Sequence, residues 1–186
     1  MQLRPWAFEV AQDKLAEPLP RRWAHVQGVA QQAGRLSGDA SIDSDLLEAS
    51  ALLHDVGYAP DLAELGFHPV DGARYLETIG APGRMVHLVA HHSAARWDAE
   101  VVDLVSTIEP YEDEQTPLRD ALWWADMTTG PGGESVGFTE RMHEVFERYG
   151  AEHPVSRAIE RSWSPREEAV QRTEERVRLI EPVVRY

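Results

Sequence analysis

The chain has 186 residues, 42% of them hydrophobic and 27% charged, a length and balance that suit one soluble globular domain. A formal charge of −14 and a pI near 4.9 argue against a protein that coats duplex nucleic acid, because that binding begins with Lys and Arg neutralising phosphates. The absence of cysteine removes disulfides, thiolate zinc sites and cysteine nucleophiles together, so any metal must be held by imidazole and carboxylate.

Gly and Pro cut the sequence into helix-sized pieces, and no stretch shows the period-two alternation of a half-buried strand, so an all-α fold is expected. The pattern predicts helices over residues 5 to 16, 19 to 36, 43 to 56, 69 to 79, 82 to 93, 97 to 109, 116 to 128, 137 to 149, 154 to 163 and 165 to 181. Asp43 or Ser44 caps the third, Pro69 and Pro82 suit first turns, and Ser164-Pro165-Arg166-Glu167 reads as a capping box. The last helix has apolar groups only at Ala169, Val170, Val177, Leu179 and Ile180 and reads as an outer packing helix. The Gly-rich TTGPGGES lacks the Gly-Lys-Ser/Thr of a phosphate-binding loop and reads as a turn. No repeat or long linker interrupts the chain, so one domain over residues 1–186 is expected. No apolar run approaches the roughly 18 residues of a membrane span and no secretion signal opens the chain, so a cytoplasmic protein without a membrane partner is expected.

Several His and Asp residues interrupt helix faces that should be buried. In DLLEASALLHDVG, His54 shares a face with Leu47, Ser50 and Ala51, and Asp55 follows about 100° around the helix, close enough for both side chains to reach one ion. Taken alone, the pair also reads as a core histidine beside a helix-terminal aspartate. His25 lies on the stripe of Val29 and Leu36, and Asp126 on that of Leu118 and Leu122. Four inward polar groups on three helices need a common partner, and two imidazoles with two carboxylates suit Mn, Fe, Co, Ni, Zn or Mg. Between these segments lie His68, His87, His91 and His92; His87 and His91 are one turn apart, whereas His92 diverges from them. Each of these is a candidate second-metal ligand or acid–base group, or an ordinary surface histidine.

The order His25, then ALLHDVG with His54-Asp55, then Asp126, spread over separate helices, resembles the HD-domain superfamily of metal-dependent phosphohydrolases. The resemblance covers residues of about 20 to 130, leaving packing helices over about 137 to 181. It implies a divalent or iron site held by His25, His54, Asp55 and Asp126. His68, followed by Gly72-Ala73, and the doublet His91-His92 look like the extra histidines of HD proteins with two metals, in which the HD aspartate bridges. The chain resembles the short stand-alone bacterial members. It departs from the cyclic-dinucleotide phosphodiesterase branch, because Tyr58 follows His54-Asp55-Val56-Gly57 where that branch has lysine, and no Gly-Tyr-Pro signature is present.

The function this implies is hydrolysis of a nucleotide or other small phosphoester by metal-activated water, on one or two ions per chain, with His68, His91 and Asp55 as catalytic candidates. Arg22, Tyr58 and Arg96 are candidate substrate contacts; Trp97, Trp123 and Trp124 serve the pocket or the core. Two alternatives stand beside it: an HD-type di-iron oxygenase acting on a small organic or organophosphonate substrate, and a non-catalytic metal-stabilised binding module. A homodimer is a further expectation, with Trp123-Trp124 as part of its interface.

Overall fold

The computed structural model describes residues 2–180. Its helices are α1 (Leu3–Leu15), α2 (Pro20–Gly34), α3 (Ser44–Leu53), α4 (His68–Thr78), α5 (Gly83–Ala90), α6 (Ala95–Val101), α7 (Val105–Ile108), α8 (Pro117–Met127), α9 (Phe138–Tyr149), α10 (Pro154–Arg161) and α11 (Trp163–Ile180). Single 3₁₀ turns, Val56–Tyr58 and His92–Ala94, follow α3 and α5. Among the described residues there is no strand, only a lone bridge from Thr129 to Ser135. The all-α expectation therefore holds. No helix among the described residues is long and apolar enough to cross a membrane.

The α3 helix is the axis of the fold. Leu46, Leu47, Ala49, Ser50, Ala51, Leu52 and Leu53 are all buried, so it is apolar nearly all round and has to be enclosed. Packing with α1, α2, α5 and α8 encloses it, and the polar pair His54-Asp55 at its C-terminal end is thereby carried into the middle of the molecule. The Asp43 carboxylate starts it, accepting from the Leu46 amide at 3.1 Å. The α11 helix covers α8 with Ala169, Val170 and Val177, while Leu179 stays in solvent. One hydrophobic cluster runs from Ala7 to Val177.

Three expected helices are shorter than their periodicity suggested. The third stops at Leu53 rather than 56, and the fifth stops at Ala90 because Ser93 and Ala94 adopt left-handed backbone, φ 47° and 62°. The sixth divides into α6 and α7 around Asp103, φ 57°. The capping box is not formed: α11 begins at Trp163, and the Ser164 hydroxyl donates to Glu168 Oε1 instead. Residue 181, the expected end of the last helix, lies outside the described residues. Trp123 and Trp124 are buried within this one chain, which removes them from any dimer surface. The indole nitrogen of Trp123 donates to the His91 carbonyl at 2.8 Å.

Candidate metal centre

Five elements deliver a polar cluster to one point: α2 brings Arg22 and His25, the end of α3 brings His54 and Asp55, α4 opens with His68, the turn after α5 brings His92, and α8 brings Asp126. Three of the histidines are anchored in the same way. A carbonyl can only accept, so the ring nitrogen facing it carries the proton: His25 Nδ1 donates to Gly130 at 2.9 Å, His54 Nδ1 to Ala51 at 2.7 Å and His92 Nδ1 to Val89 at 2.6 Å. In the neutral rings each Nε2 is then a lone pair aimed into the cluster, as in metal-ligating histidines whose second nitrogen is tied to a backbone oxygen.

What these lone pairs meet is other electron pairs. His25 Nε2 lies 3.0 Å from Asp126 Oδ1, and the buried His54 Nε2, which has no hydrogen-bond partner, lies 3.3 Å from Asp55 Oδ2 and 3.6 Å from Asp126 Oδ1. His92 Nε2 faces His68 Nε2 at 3.1 Å. Acceptors this close repel unless a proton or a cation lies between them. Two ligands at about 2.1 Å from one ion and at right angles stand about 3 Å apart, which is the spacing seen here. His25, His54 and Asp126 form one group that could hold a metal ion, and His54, Asp55 and His92 another. Asp55 stands between them: Oδ2 faces His25 and His54, while Oδ1 lies 3.3 Å from His68 and 3.7 Å from His92.

The electrostatics call for positive charge. Burial alone would lower the His54 imidazole, but Asp55 and Asp126 outweigh it and raise it to about 10. Burial would raise both carboxyls, yet Arg22 and His54 hold Asp55, and His54 and His25 hold Asp126, well below the usual range. His68 and His92 go the other way, because burial strips water from their charged forms; His92 falls to about 4. Two fixed anions draw one imidazole, His54, to its charged form while His68 and His92 stay neutral, and a divalent cation would take the place of that proton.

Glycines set two of these positions. A Cβ on Gly57 would lie 2.1 Å from the His68 carbonyl oxygen, so only glycine lets the turn after Asp55 touch the start of α4. A Cβ on Gly28 would lie 2.3 Å from the Gly133 oxygen; that contact seats the TTGPGGES loop on α2 and puts the Gly130 carbonyl on His25. The loop is a turn, as expected.

The cluster opens into a cleft of about 640 Å³. Arg22 donates to Asp55 Oδ2 at 2.5 Å and lies 4.1 Å over the Tyr58 ring, which in turn stacks on His68 at 3.9 Å; both line the cleft. Ser93 donates its hydroxyl to Asp126 Oδ2. Three expectations are corrected. His91 turns away: its Nε2 binds the Tyr111 carbonyl at 2.9 Å, because the chain leaves helical geometry there and only His92 swings inward. Arg96 points outside the cleft toward Glu100, and His87 accepts from the Glu112 amide instead.

The far wall was not legible in the sequence. Asp98, Arg141, Met142, Val145, Arg148, Tyr149 and Arg166 come from α6, α9 and α11. The spacing of these residues carries no signal of a site, because charged residues in a charge-rich helix read as solvated.

Comparison with known proteins came to the same region. The HD domain family model matches residues 22–128, more than half of the chain. Ribonuclease Y of Fervidobacterium nodosum is 37% identical over 70 residues, which is 37% of this chain and 14% of that protein. The chain thus spans a small part of that relative's length. No solved structure matches.

Proposed function

The chain belongs to the HD-domain family, and on that premise we propose that it is a metal-dependent phosphohydrolase acting on a small phosphoester. The observation that carries the reading is Asp55, a buried carboxylate with one oxygen facing His25 and His54 and the other facing His68 and His92. In this reading His25, His54, Asp126 and Asp55 hold one ion, and Asp55, His68 and His92 hold a second. Such ions, when bound, lower the pKa of water and polarise a phosphoryl oxygen.

The remaining roles fall to the chain's own groups. Arg22 is anchored on Asp55 through Nη1 and on the Tyr58 ring, leaving Nη2 and Nε to receive a phosphoryl oxygen. Tyr58 covers His68 and offers an apolar face to the leaving group. Ser93 and Arg22 keep the outer lone pairs of Asp126 and Asp55 occupied, so that both carboxylates hold their orientation. The partial similarity to a protein named as a ribonuclease also supports phosphoester chemistry, without fixing the substrate.

The test is to purify the protein under nitrogen, count and name its ions, and assay 4-nitrophenyl phosphate and bis(4-nitrophenyl) phosphate with Mn, Co, Ni, Zn or Mg. Hydrolysis that needs a redox-silent ion and disappears in Asp55→Ala is expected. Two irons per chain with oxygen consumption and no hydrolysis would overturn the proposal in favour of an oxygenase. Metal binding with neither activity would favour a binding module.

A further inference from the structure

One wall of the cleft contains a buried guanidinium with a donor to spare. Arg166, on the first turn of α11, is only 5% exposed yet lines the cleft. Its Nε donates to Ser162 Oγ at 2.7 Å and its Nη2 to Asp98 Oδ2 at 3.2 Å. A guanidinium has five N–H groups, and Nη1 has no hydrogen-bond partner among the described residues. Asp98 neutralises the charge: burial raises its carboxyl, against the pull of Arg166, only to about 6, so at neutral pH it is a carboxylate paired with Nη2, and Nη1 is left over. Nη1 is not closed off from water, so it can donate to a ligand in the cleft.

Arg141 on α9 lines the same cleft, its side chain 11% exposed and tied to Glu144 through Nη1 alone. The same cleft is also lined by the apolar Met142, Val145 and Ile159. A chain of net charge −14 thus places four arginines, Arg22, Arg141, Arg148 and Arg166, in the lining of one cleft.

We propose that Arg166, with Arg141, forms a second oxyanion subsite. The substrate then carries two anionic groups, a phosphoryl group at the cluster and a carboxylate or second phosphate at Arg166, joined by a short apolar segment. The identity of the first group rests on the hydrolase reading; the second does not.

The test is calorimetry on the Mn-loaded protein with phosphonates bearing two to five methylenes and ending in a carboxylate, a carboxamide or a second phosphonate. At the best-fitting length, the carboxylate or the bisphosphonate should bind at least tenfold more tightly than the amide, and whichever is stronger names the second anion. The double variant Arg166→Met/Asp98→Asn removes both charges together, so neither is left buried alone; it should still bind metal while the preference falls below twofold. Acid and amide binding alike at every length, or a preference that survives in the double variant, would overturn the subsite. Should that variant not fold, Arg166→Lys, which keeps the charge and removes the Nη1 donor, takes its place: the preference should fall there too, and an unchanged preference would overturn the subsite. Failure of the hydrolase reading looks different: no ester is cleaved with any ion, while the acid–amide gap persists.

Discussion

Two corners of this molecule are made alike and end differently. At the end of α3 the His54 ring reaches back three residues to the Ala51 carbonyl; at the end of α5 the His92 ring does the same to Val89. The residue that breaks the helix is Asp55 in the first corner, at φ −101° and ψ 9°, and His91 in the second, at φ −107° and ψ 9°. The inward histidine therefore precedes the break in one corner and follows it in the other. Position along a helix does not decide which of two adjacent polar residues faces the cluster. In both corners the inward ring is the one that reaches back to a carbonyl three residues earlier in its own helix.

The sharpest way to break the comparison is at the first corner. Asp55→Ala removes the carboxylate shared by both donor sets, so metal binding should be lost and hydrolysis should fall on the order of a thousandfold, with helical circular dichroism retained. Retained turnover would show that the cluster is not the site. The second corner separates its two histidines: His92→Ala should lower the bound metal by one ion per chain, whereas His91→Ala should leave the count unchanged. The latter should cost only about 1 kcal/mol of stability, through the lost Tyr111 bond. Metal analysis beside thermal melts reads both, and equal metal counts would erase the distinction.

Gly57→Ala tests how the first corner places His68. The collision with the His68 carbonyl should weaken the second ion by about 10- to 100-fold while the first is kept; titration by calorimetry reads the two steps. Protons compete with metal at His54. Its imidazole is raised from 6.5 to about 10, so the charge stabilises the metal-free fold below pH 6.5, and this contribution is lost as pH rises through about 10. Binding should release about one proton near neutral pH and tighten about tenfold per pH unit across that window, seen as a buffer-dependent enthalpy. The smallest effect belongs to Arg96→Ala, outside both corners and the cleft, which should change stability by less than about 0.5 kcal/mol and leave turnover alone.

Much of this was legible in the sequence wherever a helix runs without interruption. His25 on the stripe of Val29, and Asp126 on that of Leu118 and Leu122, follow from a 3.6-residue period, and both arrive at the cluster. The choice between His91 and His92 was not legible, because the period ends at Ala90 and the left-handed Ser93 and Ala94 send the chain elsewhere. Arg96 failed for the same reason, its direction being set after that kink. Arg166 escaped because a charged residue in a polar helix looks solvated until the packing of α11 on α8 and the nearness of Asp98 are known.

The loop that supplies the Gly130 carbonyl to His25 also carries the chain from α8 into α9, where Arg141, Met142 and Val145 face the cleft. A molecule resting against α9 thus lies one loop away from the carbonyl that holds a donor ring in place. Thermodynamic linkage makes any effect between the two mutual: whatever factor the occupant adds to the affinity for the ion, the ion adds to the affinity for the occupant. Where both are bound, the loop from α8 to α9 is the stretch of chain that joins the carbonyl behind the cation's donor ring to the wall of the cleft.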